Sequence, residues 1–131
     1  MVERADADLV GRWRDLLACY STVSCALDRA LQEAHGIGMS EFEALDRIVE
    51  SGREHFRMHE LADCMYLSQS ALSRTVARLE RAGFVNRTMC VDDRRAIYVA
   101  VTDAGRQKHA EAHTTHLSVL AQKLAPEPAR I

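Results

Sequence analysis

Apolar or small residues recur along residues 6–35 at alternating steps of four and three: Leu9, Trp13, Leu16, Tyr20, Val23, Leu27, Ala30 and Ala34. That spacing is a coiled-coil-like seam on a helix of about eight turns. So long a helix exceeds what a small domain covers, and the seam predicts pairing with a second copy; packing wholly within its own subunit is the alternative. Gly36 and Gly38 break the pattern. Ser40 and Glu43 then form a capping box, as N-cap and N3, for a second helix whose inner face is Phe42, Leu45, Ile48 and Val49 and which stops at Gly52. A short third helix over 58–65 buries Leu61, Ala62 and Met65. After the corner "YLS" comes "LSQSALSRTVARLERAGF", a fourth helix with Leu72, Val76 and Leu79 inward, Ser68 as N-cap and Gly83 as stop.

Beyond that helix the period changes. "AIYVAV" is rich in β-branched and aromatic residues, "VNRTMCV" pairs with it, and "DDRR" between them is a turn, so the stretch predicts a β-hairpin with a charged tip. Thr102 caps a last helix that begins near 103 and runs to about 125, where Pro126 and Pro128 end regular structure. There is no internal repeat or low-complexity linker, so residues 1–131 read as a single domain. The fold class is mostly α with a small β-hairpin wing: a winged helix-turn-helix over 57–102, a connecting helix in 36–56, and long flanking helices in 1–35 and 103–131, the dimerisation helices under the resemblance given below.

The outer face of the fourth helix identifies its use. Gln69, Ser70, Ser73, Arg74, Ala77, Arg78 and Arg81 look outward, a short, polar and basic strip. In a helix-turn-helix the second helix enters the major groove, its N-terminal residues touching base edges. Ser70, Ser73 and Ala77 permit close approach, while Gln69, Arg74 and Arg78 supply donors for bases or phosphates. Ser68 and the helix N-terminus suit a phosphate. At the hairpin tip an arginine favours a narrow minor groove through its enhanced negative potential. Arg94 takes that role with Asp93 bracing Arg95, or the two arginines exchange parts.

Charge sharpens this picture. Six basic residues face eleven acidic ones up to residue 56, seven face five over 57–95, and four face three thereafter. A basic patch on an acidic body fits a site-selective binder of double-stranded DNA better than an indiscriminate one. A winged module that binds only protein is the competing class, and the two separate by salt-dependent DNA affinity. No apolar run approaches the roughly 20 residues of a membrane span, and the N-terminus lacks the layout of a signal peptide, so a cytoplasmic protein without membrane contact is expected. The four cysteines, Cys19, Cys25, Cys64 and Cys90, form no CxxC pair and read as free buried thiols, with redox sensing by Cys19 or Cys25 as the alternative. No nucleophile, base and stabiliser stand at a catalytic spacing, so neither an enzyme nor a bound cofactor is expected.

The stretches "LADCMYLSQSALSRTVARLERAGFVNR" and "DDRRAIYVAVTDAGR" resemble the multiple-antibiotic-resistance regulator (MarR) family of bacterial transcription factors. The likeness extends over nearly the whole chain, and the hairpin pattern Asp93, Arg95, Val101, Thr102 and Gly105 is its most specific part. The resemblance implies an obligate homodimer formed by the first and last helices, with two winged modules on a pseudo-palindromic operator. It also implies a repressor released by a small phenolic or other lipophilic effector. The family's effector cavity lies between the dimer helices and the winged module, which makes Trp13, Leu17, Tyr20, Phe42 and His116 candidate wall residues. One departure is that the family commonly carries a further helix after the one ending near 125, and "PEPARI" is too short for it.

One other chemistry stays open. "KHAEAHTTH" places His109, His113 and His116 on one helical face at i, i+4 and i+7, where two imidazoles with Glu111, a distant carboxylate or His35 could hold zinc. Zinc-responsive members of the resembled family use histidines of this helix. A single helix does not close such a site, so solvated or paired histidines are the main expectation.

Overall fold

The computed structural model describes residues 2–89 and 96–124. Five helices and three strands follow in the order α1 (Val2–His35), α2 (Met39–Ser51), β1 (Phe56–Arg57), α3 (Met58–Met65), α4 (Gln69–Arg81), β2 (Val85–Met89), β3 (Ile97–Val101) and α5 (Asp103–Leu124). The helix pair α3 and α4 lies where the sequence places it. Ser68 caps α4 as expected, its Oγ accepting the Ala71 N–H at 3.1 Å. The hairpin is part of a larger sheet: β1 pairs antiparallel with β3, giving the order β1-β3-β2. A two-residue strand has no period to betray it. β2 buries only Val85, so the pair packs at its base and the rest projects as a wing. Asp93, Arg94, Arg95, Cys90 and the tail from 125 with its two prolines lie outside the described residues.

One core joins every element. Leu31 and Ile37, Phe42, Leu45 and Ile48, Leu61, then Leu72, Val76 and Leu79, Val85, Val99 and Ala112 pack into a single cluster. A smaller cluster of Val23, Leu27 and Val119, flanked by Ala26, Ala30, Met39 and Leu120, sits where α1 crosses α5. The α1 seam is corrected at its C-terminal end. Near its C-terminus Leu31 is buried and Ala34 is exposed, because a straight helix of 3.6 residues per turn drifts against a 3.5-residue seam. Towards its N-terminus Leu9, Trp13, Leu16 and Tyr20 all stand exposed.

Two joints tie the helices to their neighbours. Thr102 Oγ1 accepts the Gly105 N–H at 3.0 Å, capping α5 as expected, and donates to the Gly83 carbonyl at 2.7 Å. Gly105 there runs so close to the α4–β2 turn that a Cβ would sit 2.1 Å from the Phe84 carbonyl oxygen. The second joint overturns the expected capping box. Gly38, not Ser40, occupies the N-cap position of α2, and the Met39 N–H is taken by Asp28 Oδ1 of α1 at 3.0 Å. A carboxylate eleven residues upstream in the chain takes the first orphan amide of a helix that begins before Ser40, which leaves Ser40 inside the first turn and not at its cap.

Candidate nucleic-acid interface

The recognition strip is built by α4. Leu72, Thr75, Val76 and Leu79 face the core, Thr75 Oγ1 donating to the Ala71 carbonyl at 3.1 Å, so a polar residue on the buried face is satisfied within its own helix. This fixes the helix's rotation and leaves Ser68, Gln69, Ser70, Ser73, Arg74, Arg78 and Arg81 exposed. Ser68 Oγ also lies 3.3 Å from Ser70 Oγ, so its hydroxyl is shared between the cap and a neighbour on the outer face. Arg78 stands at the edge of the strip against α2, with Nε 3.0 Å from Glu41 Oε1.

Two features of this surface have no local signature in the sequence. Glu80 at the end of α4 accepts from the Arg87 backbone N–H at 3.2 Å, and its other oxygen accepts from the guanidinium at 3.1 and 3.2 Å. The backbone bond first, then the side-chain bonds, hold the Glu80 carboxyl below the usual carboxylate range. This ties the wing's first strand to α4. Tyr66, between α3 and α4, is the only non-glycine residue with positive φ among the described residues, at 57°, and is 92% exposed. A left-handed backbone costs a side-chain-bearing residue about 1 kcal/mol or more. It brings the Tyr66 N–H onto the Ala62 and Asp63 carbonyls, ending α3 sharply enough for α4 to start three residues later.

A cleft of about 280 Å³ lies behind this corner, between α1, α2 and residues 64–67, with Tyr20, Leu27, Met39, Glu43, Arg47 and Met65 among its walls. Of the five expected wall residues only Tyr20 lines it. Trp13 and Leu17 are on the exposed part of α1, and Phe42 is fully buried in the core. His116 stands behind the wall, its Nε2 3.2 Å from Glu43 Oε1. The histidines of α5 ring the edge of a core residue: His109 stacks on Phe42 at 5.5 Å and bonds Asp46 at 2.8 Å, and the His116 ring lies 4.5 Å from Phe42. His113 completes the set around Phe42 at 6.5 Å, and His35 bonds Thr115 Oγ1 at 2.7 Å. His109 and His116 thus take separate carboxylates, and no group of three or more histidine, cysteine or acidic side chains converges as a metal site among the described residues. Cys19, Cys25 and Cys64 are free but exposed, contrary to the expected burial, because Cys19 and Cys25 fall beside the Leu16, Tyr20, Val23 and Leu27 seam of α1 rather than on it, and Cys64 sits at the corner. Among the described residues no helix is long and apolar enough to cross a membrane.

The sequence model of the MarR family matches residues 37–97, from the start of α2 into β3. Among curated proteins, the HTH-type transcriptional regulator PecS of Dickeya dadantii (strain 3937) is 25% identical over 114 residues, covering 76% of this chain and 69% of that one. Among solved structures, AbsC, a MarR family transcriptional regulator from Streptomyces coelicolor, superposes with a TM-score of 0.80 at 28% identity, over 90% of this chain and 79% of its own. Sco3205, a MarR family transcriptional regulator from the same organism solved in complex with DNA, gives 0.83 at 31% identity, over 95% of this chain and 77% of that one. A likeness held at that identity from α1 to α5, and a family match centred on the helix pair and wing, show that this chain belongs to the MarR family of transcriptional regulators.

Proposed function

We propose that this DNA-binding regulator acts as a cytoplasmic homodimer, with α1 and α5 as its dimerisation helices and residues 57–102 as the winged module, on a pseudo-palindromic operator. The observation that carries the reading is the outer strip of α4: short side chains flanked by Gln69 and Arg74, on a helix rotated by its buried face and capped by Ser68. Gln69 and Arg74 read base edges; Ser68, Ser70, Ser73 and Arg78 hold the strip against the backbone, and Arg94 and Arg95 of the wing reach the flanking minor groove. The dimer follows from the α1 seam, whose exposed half continues the line of its packed half. No step calls for catalysis or a cofactor.

The protein represses, and a small phenolic or lipophilic effector releases it. The cleft supports this, because its wall at residues 64–67 runs directly into the Ser68 cap of α4. An occupant of the cleft touches the turn that aims the recognition helix, and it shifts DNA binding by as much as its affinity differs between the two aims. Trp13 and Leu17 join such a site only across the dimer.

Selection of bound sequences from a random duplex pool, at two salt concentrations, tests the reading. A pseudo-palindrome is expected to enrich, with affinity falling steeply as salt rises, since each phosphate contact releases counterions. Absence of enrichment, or a half-site without symmetry, would overturn the dimeric operator reader.

A further inference from the structure

An acidic side chain beside a recognition helix is costly for a DNA-binding surface, because it repels phosphate. Glu41 is such a residue. It lies in the first turn of α2, its side chain only 14% exposed, with Oε1 3.0 Å from Nε of Arg78, whose own side chain is 52% exposed. The first turn of a helix favours a carboxylate through the helix dipole, which accounts for an acid at this position but not for its contact with α4.

Three details give the contact a use. The closest approach is through Nε, on the inner edge of the guanidinium, which leaves the terminal amino groups for a second partner. Arg78 stands at the border of the strip formed by Ser70, Ser73 and Arg74, where a groove gives way to its bounding phosphates. Room for the carboxylate is made by Gly38: a Cβ there would lie 2.5 Å from Glu41 Oε2 and 3.0 Å from Asp28 Oδ1. A long, rotamer-rich arginine loses freedom when it grips a phosphate, and one already held gives up less.

We propose that Glu41 is a positioning residue for DNA binding, holding the Arg78 guanidinium at the edge of α4 with its free amino groups toward the DNA backbone. This rests on the reading of α4 as the recognition helix. The consequence runs against plain electrostatics, by which removal of a negative charge near DNA tightens binding.

The test measures affinity across a salt series for a duplex carrying the enriched sequence and for a random duplex of the same length. Glu41→Ala is expected to weaken binding to the enriched duplex by about five- to tenfold, the size of a coupling between touching residues. Arg78→Ala should weaken it at least as much and flatten the salt slope by about one. The double variant should match Arg78→Ala alone. Gly38→Ala, which displaces the carboxylate from the other side, should give a smaller loss of the same kind. Melting of Glu41→Ala should fall only slightly, since the carboxylate leaves a helix first turn and an arginine that is itself half-exposed, and affinity is compared well below that transition. Equal or tighter binding by Glu41→Ala overturns the proposal. If Arg78→Ala is silent while Arg74→Ala weakens binding, the proposal falls and the recognition-helix reading stands; if both are silent, that reading falls first.

Discussion

The two halves of α1 carry one repeat and meet opposite fates. Leu9, Trp13, Leu16 and Tyr20 are between 59% and 66% exposed, whereas Val23, Leu27 and Leu31 fall to 9%, 4% and 0%. Nothing in the spacing distinguishes them. The second half is covered because α5 returns Val119 and Leu120 to it and α2 offers Met39, while the first half, apart from the open cleft that Tyr20 shares with residues 64–67, stays exposed. A contiguous row of large apolar side chains of that size marks an interaction surface on a soluble protein. Periodicity therefore states which face is apolar, and topology alone states who covers it.

Substitutions in each half break or confirm this division. Leu31→Ala removes a fully buried side chain from the main core and is expected to cost about 2–5 kcal/mol. Its melting temperature should fall equally in dilute and concentrated solution, because the packing around Leu31 lies entirely within one chain. Trp13→Ala should leave the fold of one chain within about 0.5 kcal/mol, as for other exposed positions, and act through association. Sedimentation should show the dimer shifted toward monomer, with a melting temperature that depends on protein concentration. If Trp13→Ala leaves association unchanged, the exposed half is not the dimer seam.

Gly105→Ala probes the joint that makes the packed half rigid. The added methyl meets the Phe84 carbonyl oxygen at 2.1 Å and Val101 at 2.8 Å, so backbone must shift. Overpacking of this kind costs about 1–3 kcal/mol. The loss should be independent of protein concentration, and DNA affinity should fall with it, since Phe84 follows directly on the turn that ends α4. Unchanged melting would mean that α5 is not locked to the winged module here.

Much of the module is legible from local signals. Ser68 ahead of an amphipathic run, Thr102 ahead of the last helix, and the residues of α3 and α4 all act within a few positions of themselves, where capping and period are decisive. What escapes depends on partners far along the chain. Asp28 takes the Met39 amide, and the helix starts ahead of Ser40, only because α1 passes the start of α2. Phe56 and Arg57 become a strand only because β3 lies beside them. Phe42 reads as cleft wall, and His109 and His116 as zinc ligands or wall, until the α2–α5 contact buries Phe42 and sets those two imidazoles at its edge with Asp46 and Glu43 as their acceptors. Of the expected α1 wall, Tyr20 reaches the cleft of one chain, opposite the 64–67 corner that no local signal announces, while Trp13 and Leu17 stand exposed.

The smallest expected effect lies wholly inside the self-contained half of the molecule. Glu80 is held below the usual carboxylate range chiefly by the Arg87 backbone N–H, then by its guanidinium, with desolvation opposing weakly. A carboxyl whose pKa is lower folded than unfolded adds stability above its unfolded value, and this is lost as pH falls through the folded one. Wild type should therefore melt above Glu80→Gln at neutral pH, and the two curves should converge through the acid limb. Because the pair is exposed and links α4 to β2 of one chain, the gap should shrink in high salt and ignore protein concentration. A gap that persists into strong acid would remove the ionised carboxylate from the account. One that grows with protein concentration would place Glu80 at the dimer seam, and the division between the two halves of α1 would no longer separate what one chain does from what two chains do.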